Sequence, residues 1–178
     1  IDLQIINLNK TITRLEKMLN RLIGEDIQMQ DDFEENLWRV KADENQIEQV
    51  ITNLVVNARD AMPDGGKLSI KTQNINIDEE GAKNIPDAVP GQYVLLHVED
   101  SGHGIKKGDL AKIFDPFFTT KGRAEGTGMG LSVVHGIVKK HNGFINVYSE
   151  PGHGTAFKIY LPASEKELSR ENSSTKNT

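Results

Sequence analysis

Asn53 and Asn57 stand four residues apart in the run Asn53-Leu54-Val55-Val56-Asn57-Ala58-Arg59-Asp60-Ala61, and Gln46, Gln49 and Asp60 recur at the same helical spacing. At ~100° per residue these side chains share one narrow stripe of a helix. Ile47, Val50, Ile51, Leu54, Ala58 and Ala61 fall on a separate, apolar side. One face of such a helix packs on a sheet while the other presents amides and a carboxylate. A solvated surface stripe would have the same spacing. Asparagine, however, is a costlier choice in a helix interior than glutamate or lysine. An amide oxygen is also a suitable neutral ligand for Mg2+, which prefers oxygen donors and keeps several waters.

Two glycine segments carry the next signals. Asp100-Ser101-Gly102-His103-Gly104-Ile105 follows an apolar run that reads as a buried strand. A carboxylate at the end of such a strand can accept a hydrogen bond from a buried amino group such as that of adenine, although an acidic turn has the same composition. Gly102 and Gly104 let the backbone pass close to a flat ring or adopt positive φ. Gly126-Thr127-Gly128-Met129-Gly130-Leu131-Ser132 runs into a helix, where exposed backbone N–H groups make a natural phosphate site. It is not the dinucleotide fingerprint, because Leu131 stands where the last glycine belongs, and no P-loop occurs. The protein-kinase H-R-D and D-F-G segments are also missing. Between the glycine segments, Phe114-Asp115-Pro116-Phe117-Phe118-Thr119-Thr120-Lys121 reads as a hinged flap with an apolar anchor, or in part as core phenylalanines.

The elements that must position these residues follow from periodicity. Ile5, Leu8, Ile12, Leu15, Leu19 and Leu22 predict a helix over Leu3–Leu22, ended by Gly24. Short strands are expected at Asp26–Gln30 and Leu37–Lys41. Asp43–Met62 is the strongest helix, with Asp43 as its cap and Pro63-Asp64-Gly65-Gly66 as its stop. Lys67–Ile77 alternates as a half-buried strand, Asp78–Gly91 is a connecting excursion, and Tyr93–Asp100 is a central strand. Lys107–Ile113 reads as a short helix, Asp115–Gly126 as a loop and Met129–His141 as a helix. Phe144–Ser149 and Thr155–Leu161 form a last hairpin. The order is not a regular β-α-β alternation, so the expected fold class is an α/β sandwich of one sheet and three long helices.

Composition sets the outer limits. The chain has 178 residues, 37% hydrophobic and 26% charged, which suits one globular domain. A formal net charge of -5 with scattered basic residues argues against a nucleic-acid surface. Cysteine is absent, which excludes disulfides and thiolate metal sites and makes a reducing cytoplasm the default. No apolar run approaches the ~20 residues of a membrane span. The chain opens at Ile1 rather than Met, so it reads as a piece of a longer protein. Expected divisions are an N-terminal helix over 1–24, either packed on the domain or leading in from a segment upstream, a domain over 25–162 and a disordered tail or linker over 163–178.

Taken together, these segments resemble the boxes of the histidine kinase catalytic domain, within the superfamily of gyrase, chaperone, histidine kinase and mismatch-repair ATPases (the Bergerat fold). Asn53–Ala61 resembles the asparagine box, Asp100–Ile105 the first glycine box and Ile113–Lys121 the phenylalanine box. Gly126–Ser132 resembles the second glycine box and Gly152-His153-Gly154-Thr155 the last glycine turn. The resemblance spans about Leu3 to Pro162, and the wording of the boxes is most similar to the nitrogen-regulation and hybrid-kinase branch.

The resemblance implies a two-layer α/β sandwich whose mixed, mostly antiparallel sheet packs on three helices, with ATP and Mg2+ as ligands. Asn57 would hold Mg2+, with Asn53 beside it as the second catalytic position. Asp100 would read the adenine amino group, with Gly102, Gly104, Ile105 and Thr155 around the base. Phe117, Thr120, Lys121 and Arg123 would serve from the flap. Gly126, Thr127, Gly128, Met129, Gly130 and Leu131 would line the phosphates. Asp60 departs from the lysine or arginine common at its place and resembles the gyrase-like members. Hydrolysing relatives place a glutamate where Asn53 stands, and an amide cannot take a proton from water usefully. ATP bound here would keep its γ-phosphoryl for a histidine acceptor.

That acceptor sits, in this family, on a helical dimerisation hairpin. None of His97, His103, His135, His141 and His153 has its sequence context, and all five read as surface or packing histidines. The implied partners are the parent protein's acceptor hairpin and a downstream response regulator receiver domain. No nucleic acid and no direct membrane contact are expected, and the piece by itself should be monomeric. A non-catalytic ATP-binding module and a gyrase-like ATPase are the alternatives.

Overall fold

The computed structural model describes residues 1–116, 118 and 130–165. Its centre is the helix α2 (Glu44–Ala61), which starts where the sequence predicts: Asp43 is extended and its carboxylate accepts the Gln46 backbone N–H at 3.3 Å. Ile47, Val50, Ile51, Leu54, Val55, Ala58 and Ala61 are buried along one side. That side faces a five-stranded sheet of order β2 (Ile27–Phe33), β4 (Gly66–Ile77), β5 (Gly91–Asp100), β7 (Thr155–Pro162) and β6 (Phe144–Ser149). β2 and β4 are parallel, and every other neighbouring pair in this sheet is antiparallel. The helices α1 (Leu8–Ile23) and α4 (Gly130–Lys140) flank α2, completing two layers around one core. A single turn, α3 (Glu79–Ala82), opens the excursion between β4 and β5.

Alternation places the helix-facing residues. Leu68, Ile70 and Thr72 of β4, Val94, Leu96 and Val98 of β5, and Phe157, Ile159 and Leu161 of β7 are all buried. On the opposite face, Phe144 stacks on Tyr160 and Tyr93 meets both edge-on, in a second cluster with Ile77 and Leu95. Ile85 and Ala88 of the excursion cover part of it.

The N-terminus differs from expectation. Gln4–Ile6 is a strand, β1, paired antiparallel with β3 (Val40–Ala42), and the helix begins only at Leu8. Asn7 decides this: it is extended, and its side chain accepts the Asn9 backbone N–H at 3.0 Å, which caps the helix there. Ile5, which continued the helical spacing, is consequently 41% exposed. Leu8, Ile12, Leu19 and Ile23 bury against the same core as the sheet. Thr72 Oγ1 donates to Asn9 Oδ1 at 2.6 Å, so the start of α1 is also tied to β4. At the other end the fold runs slightly past the expected boundary. Ala163 and Ser164 are buried, and the Ser164 N–H donates to the Arg39 carbonyl at 2.7 Å. The short helix expected at Lys107–Ile113 is a 3-10 turn at Leu110–Lys112. Among the described residues, no helix is long and apolar enough to cross a membrane.

Candidate functional site

The register of the sheet lines up one row on its helix-facing side, three of whose four members are polar. Leu68 lies opposite Asp100, Asp100 opposite Thr155, and Thr155 opposite Ser149. Asp100 is buried, only 5% exposed. Its Oδ1 accepts the Gly102 N–H at 2.9 Å and the Thr155 N–H at 3.3 Å. Burial pushes the carboxyl above its ordinary range, and the two backbone donors pull the other way. Among the described residues no group donates to Oδ2. A buried carboxylate with one free oxygen is suited to an amino group, because an unmet charge there is expensive and a donor relieves it.

Glycines bring the backbone against this carboxylate. A Cβ on Gly102 would overlap the carbonyl oxygen of Ala61, the last residue of α2. The Ala61 carbonyl also accepts the His103 N–H at 3.0 Å, so the loop after β5 is fastened to the end of α2. Gly104 has φ 74, and a Cβ there would overlap the Glu150 carbonyl oxygen of the β6–β7 turn. Ser149, which the sequence reading did not single out, ties these pieces together. Its Oγ accepts the Ile105 N–H at 2.8 Å, donates to the Gly154 carbonyl at 3.0 Å and lies 2.8 Å from Thr155 Oγ1. A serine directly before Glu150-Pro151-Gly152 is unremarkable as sequence. Its role arises only once the hairpin brings residue 149 beside residue 105.

The α2 face lies on the other side of the site. Asn53 and Asn57 are half-buried, on the side of the helix away from Leu54 and Ala58. Asn53 Nδ2 donates to the Gly130 carbonyl at 3.3 Å, which joins α2 to the start of α4. Asn57 makes no hydrogen bond to any described residue. Asp60 pairs instead with its neighbour: Arg59 Nε and Nη2 reach Asp60 Oδ1 at 3.4 and 3.3 Å. Arg59 Nη1 also donates to the Leu22 carbonyl, so this arginine braces α1. Leu131 is half-buried against the core and Gly130 is exposed. Phe114 packs on His135 of α4, with ring centroids 5.2 Å apart. Phe117, Thr120, Lys121, Arg123, Gly126, Thr127, Gly128 and Met129 lie outside the described residues.

The structure thus brings Asp100, Gly102, Gly104, Ile105 and Thr155 into one buried corner. Asn53 and Gly130 meet at the junction of α2 and α4, with Asn57 one turn further along α2. A buried carboxylate acceptor, a glycine loop fastened against α2 and the β6–β7 turn, and an adjacent amide face form a set suited to a purine nucleotide with its phosphates.

Comparison with known proteins agrees with this chemistry. Residues 42–165 match the family model described as histidine kinase-, DNA gyrase B-, and HSP90-like ATPase. The chain is 48% identical over 159 residues to the sensor kinase CckA of Brucella abortus, covering 89% of this chain and 17% of that protein. It is 36% identical over 163 residues to the sensor histidine kinase ZraS of Salmonella typhimurium, covering 91% and 32%. The chain therefore spans less than a third of the length of these relatives. Among solved structures, the catalytic domain of histidine kinase ThkA superposes with a TM-score of 0.70 at 29% identity, covering 92% of this chain and 97% of that one. In sequence and in fold alike, the chain belongs to the histidine kinase, DNA gyrase B and HSP90-like ATPase family, as an ATP-binding catalytic domain of the histidine kinase type.

Proposed function

We propose that this domain binds ATP with Mg2+ and presents the γ-phosphoryl to a histidine on a dimerisation hairpin elsewhere in its parent protein. The observation that carries the reading is Asp100, a buried carboxylate with both backbone donors on Oδ1 and, among the described residues, Oδ2 left for an amino group, with glycines packed so closely around it that a Cβ would collide with neighbouring backbone. Asn57 fits Mg2+ as a single neutral oxygen ligand whose amide no described residue occupies. When bound, the ion neutralises phosphate charge. Gly102, Gly104, Ile105 and Thr155 would frame the base, and Gly130 and Leu131 would begin the phosphate side. The flap residues Phe117, Thr120, Lys121 and Arg123 and the run Gly126, Thr127, Gly128 and Met129 would complete it.

What the chain's own groups do is position and polarise. Asn53 has its amide committed to the Gly130 carbonyl and has no basic atom with which to activate water. Hydrolysis is therefore slow. The transferred phosphoryl leaves the β-phosphate oxygen of ATP for an imidazole nitrogen of the acceptor histidine, and ADP departs. The enzyme's contribution is alignment and charge neutralisation. The phosphohistidine would then supply a response regulator receiver domain. The parent's location is proposed as cytoplasmic for this domain, and the piece by itself as a monomer.

Calorimetric titration of Mg2+-ATP into wild type, Asp100→Ala and Asn57→Ala tests this, with phosphate release assayed on the same samples. The expected result is binding by wild type, loss with Asp100→Ala, and loss of the Mg2+ dependence with Asn57→Ala, with little phosphate released. Transfer to a supplied acceptor hairpin then completes the reaction. Binding without transfer would make this a nucleotide-sensing module, and rapid phosphate release would make it a gyrase-like ATPase.

A further inference from the structure

Polar contacts pin α4 to α2 at both ends of α4. At its start, Asn53 Nδ2 holds the Gly130 carbonyl at 3.3 Å. Just beyond its last residue, His141 is only 7% exposed and uses both ring nitrogens. Nδ1 lies 2.8 Å from the Ile137 carbonyl, and Nε2 accepts the Asp43 N–H at 3.1 Å. These partners define the ring's state. A carbonyl only accepts, so Nδ1 carries the proton, and an amide N–H only donates, so Nε2 is bare. Asp43 is the residue whose carboxylate caps α2, and the same carboxylate takes the Asp2 N–H at 3.1 Å.

Between the pins the packing is apolar: Val134, Ile137 and Val138 of α4 share the core with Ile47, Val50, Ile51 and Leu54 of α2. Such packing is non-directional and does not by itself forbid a slide along the axis. A directional contact at the far end, ~16 Å from Gly130 at 1.5 Å per residue, does.

We propose that His141 is a positioning residue that fixes the axial register of α4 on α2, so that the start of α4 at Gly130 is held against Asn53 on the phosphate side of the nucleotide site. The proposal rests on the ATP reading for its functional consequence. Base recognition at Asp100 lies on the sheet and should not feel a slide of α4, whereas phosphate binding should.

The test compares adenosine with Mg2+-ATP by calorimetry in wild type, His141→Phe and His141→Gln, alongside ring and amide NMR. Phenylalanine keeps the ring's bulk and loses both hydrogen bonds. Glutamine restores one donor and one acceptor. The expected result is a loss of about tenfold in ATP affinity with His141→Phe, adenosine affinity unchanged, and recovery with His141→Gln. ATP and adenosine moving together in His141→Phe would overturn the proposal, because a general loss of stability does not discriminate between them. The wild-type imidazole 15N shifts need no variant, and a ring protonated on Nε2 would overturn it whether or not the variants fold. Failure of wild type to bind ATP strikes the nucleotide reading instead. The Gly130 amide resonance then decides: displacement in His141→Phe and return in His141→Gln supports the clamp, and no displacement sinks it.

Discussion

Thr155 and Asp100 face each other across β7 and β5, and the Thr155 backbone N–H donates to the Asp100 carboxylate at 3.3 Å. A main-chain donor is placed by strand register and not by the side chain at its position. The orientation of the carboxylate is therefore a property of the sheet, and its neighbours are where the corner can be tested.

Ser149 is the first of them. With Ser149→Ala the Ile105 N–H loses its acceptor, and Thr155 Oγ1 and the Gly154 carbonyl lose a partner. The expected cost is about 1–3 kcal/mol, read as a lower denaturant midpoint at unchanged slope. A few-fold weaker affinity for adenosine should accompany it. An unchanged midpoint would show that water replaces the hydroxyl at no cost.

Gly154 and Gly108 make a matched pair. Gly154 has φ 85, and a Cβ there would overlap the Asp100 carbonyl oxygen, whereas Gly108 looks into open space. Gly154→Ala should cost at least about 2 kcal/mol through backbone strain and collision. Gly108→Ala should stay within about 0.5 kcal/mol of wild type. Thermal unfolding of both variants separates the two. Equal melting temperatures would mean that the turn relaxes.

How much of this was legible in the sequence depended on whether the cause was local. The polar stripe and apolar side of α2 were readable because cap, periodicity and stop all lie within the segment. Asp100 was readable from its place at the end of an apolar strand. Leu3–Ile6 was misread as helix, because Ile5 fits the 3.6 period and the Asn7 cap that ends the pattern is a single residue. Ser149 and His141 escaped for a different reason. Their partners, Ile105 and Asp43, are distant in sequence, and nothing near either residue announces them.

Asp31 supplies a pH test of the packing between α1 and β2. Asp31 is exposed on β2, and its partial desolvation there, followed by the nearby Glu16 carboxyl, raises its pKa from 3.8 to about 7. The folded chain thus holds a proton that the unfolded chain has released. The resulting stabilisation is complete below 3.8 and is lost as pH rises through about 7. Asp31→Asn, which cannot ionise, should melt higher than wild type at pH 8, with the gap closing toward pH 4. Melting curves at several pH values check this, and a gap independent of pH would dismiss the raised Asp31 pKa.

The parallel pairing of β2 with β4 also orders events in time. β2 meets β4 only through β3 and α2, and β5 meets β7 only after α4 and β6, 55 residues on from Asp100 to Thr155, so both closures are non-local. The asparagine helix is itself the crossover. On a growing chain α2 emerges before any of the strands β4, β5, β6 and β7, and β2 waits with an open edge until β4 arrives. Asp100 and Thr155 belong to the antiparallel part and Asn53 and Asn57 to the crossover. The two halves of the site are therefore synthesised at different times, the Asp100 corner last because it needs β7. Nucleotide can join them only after the last has formed, acting as a lock on the finished fold rather than as a template for it.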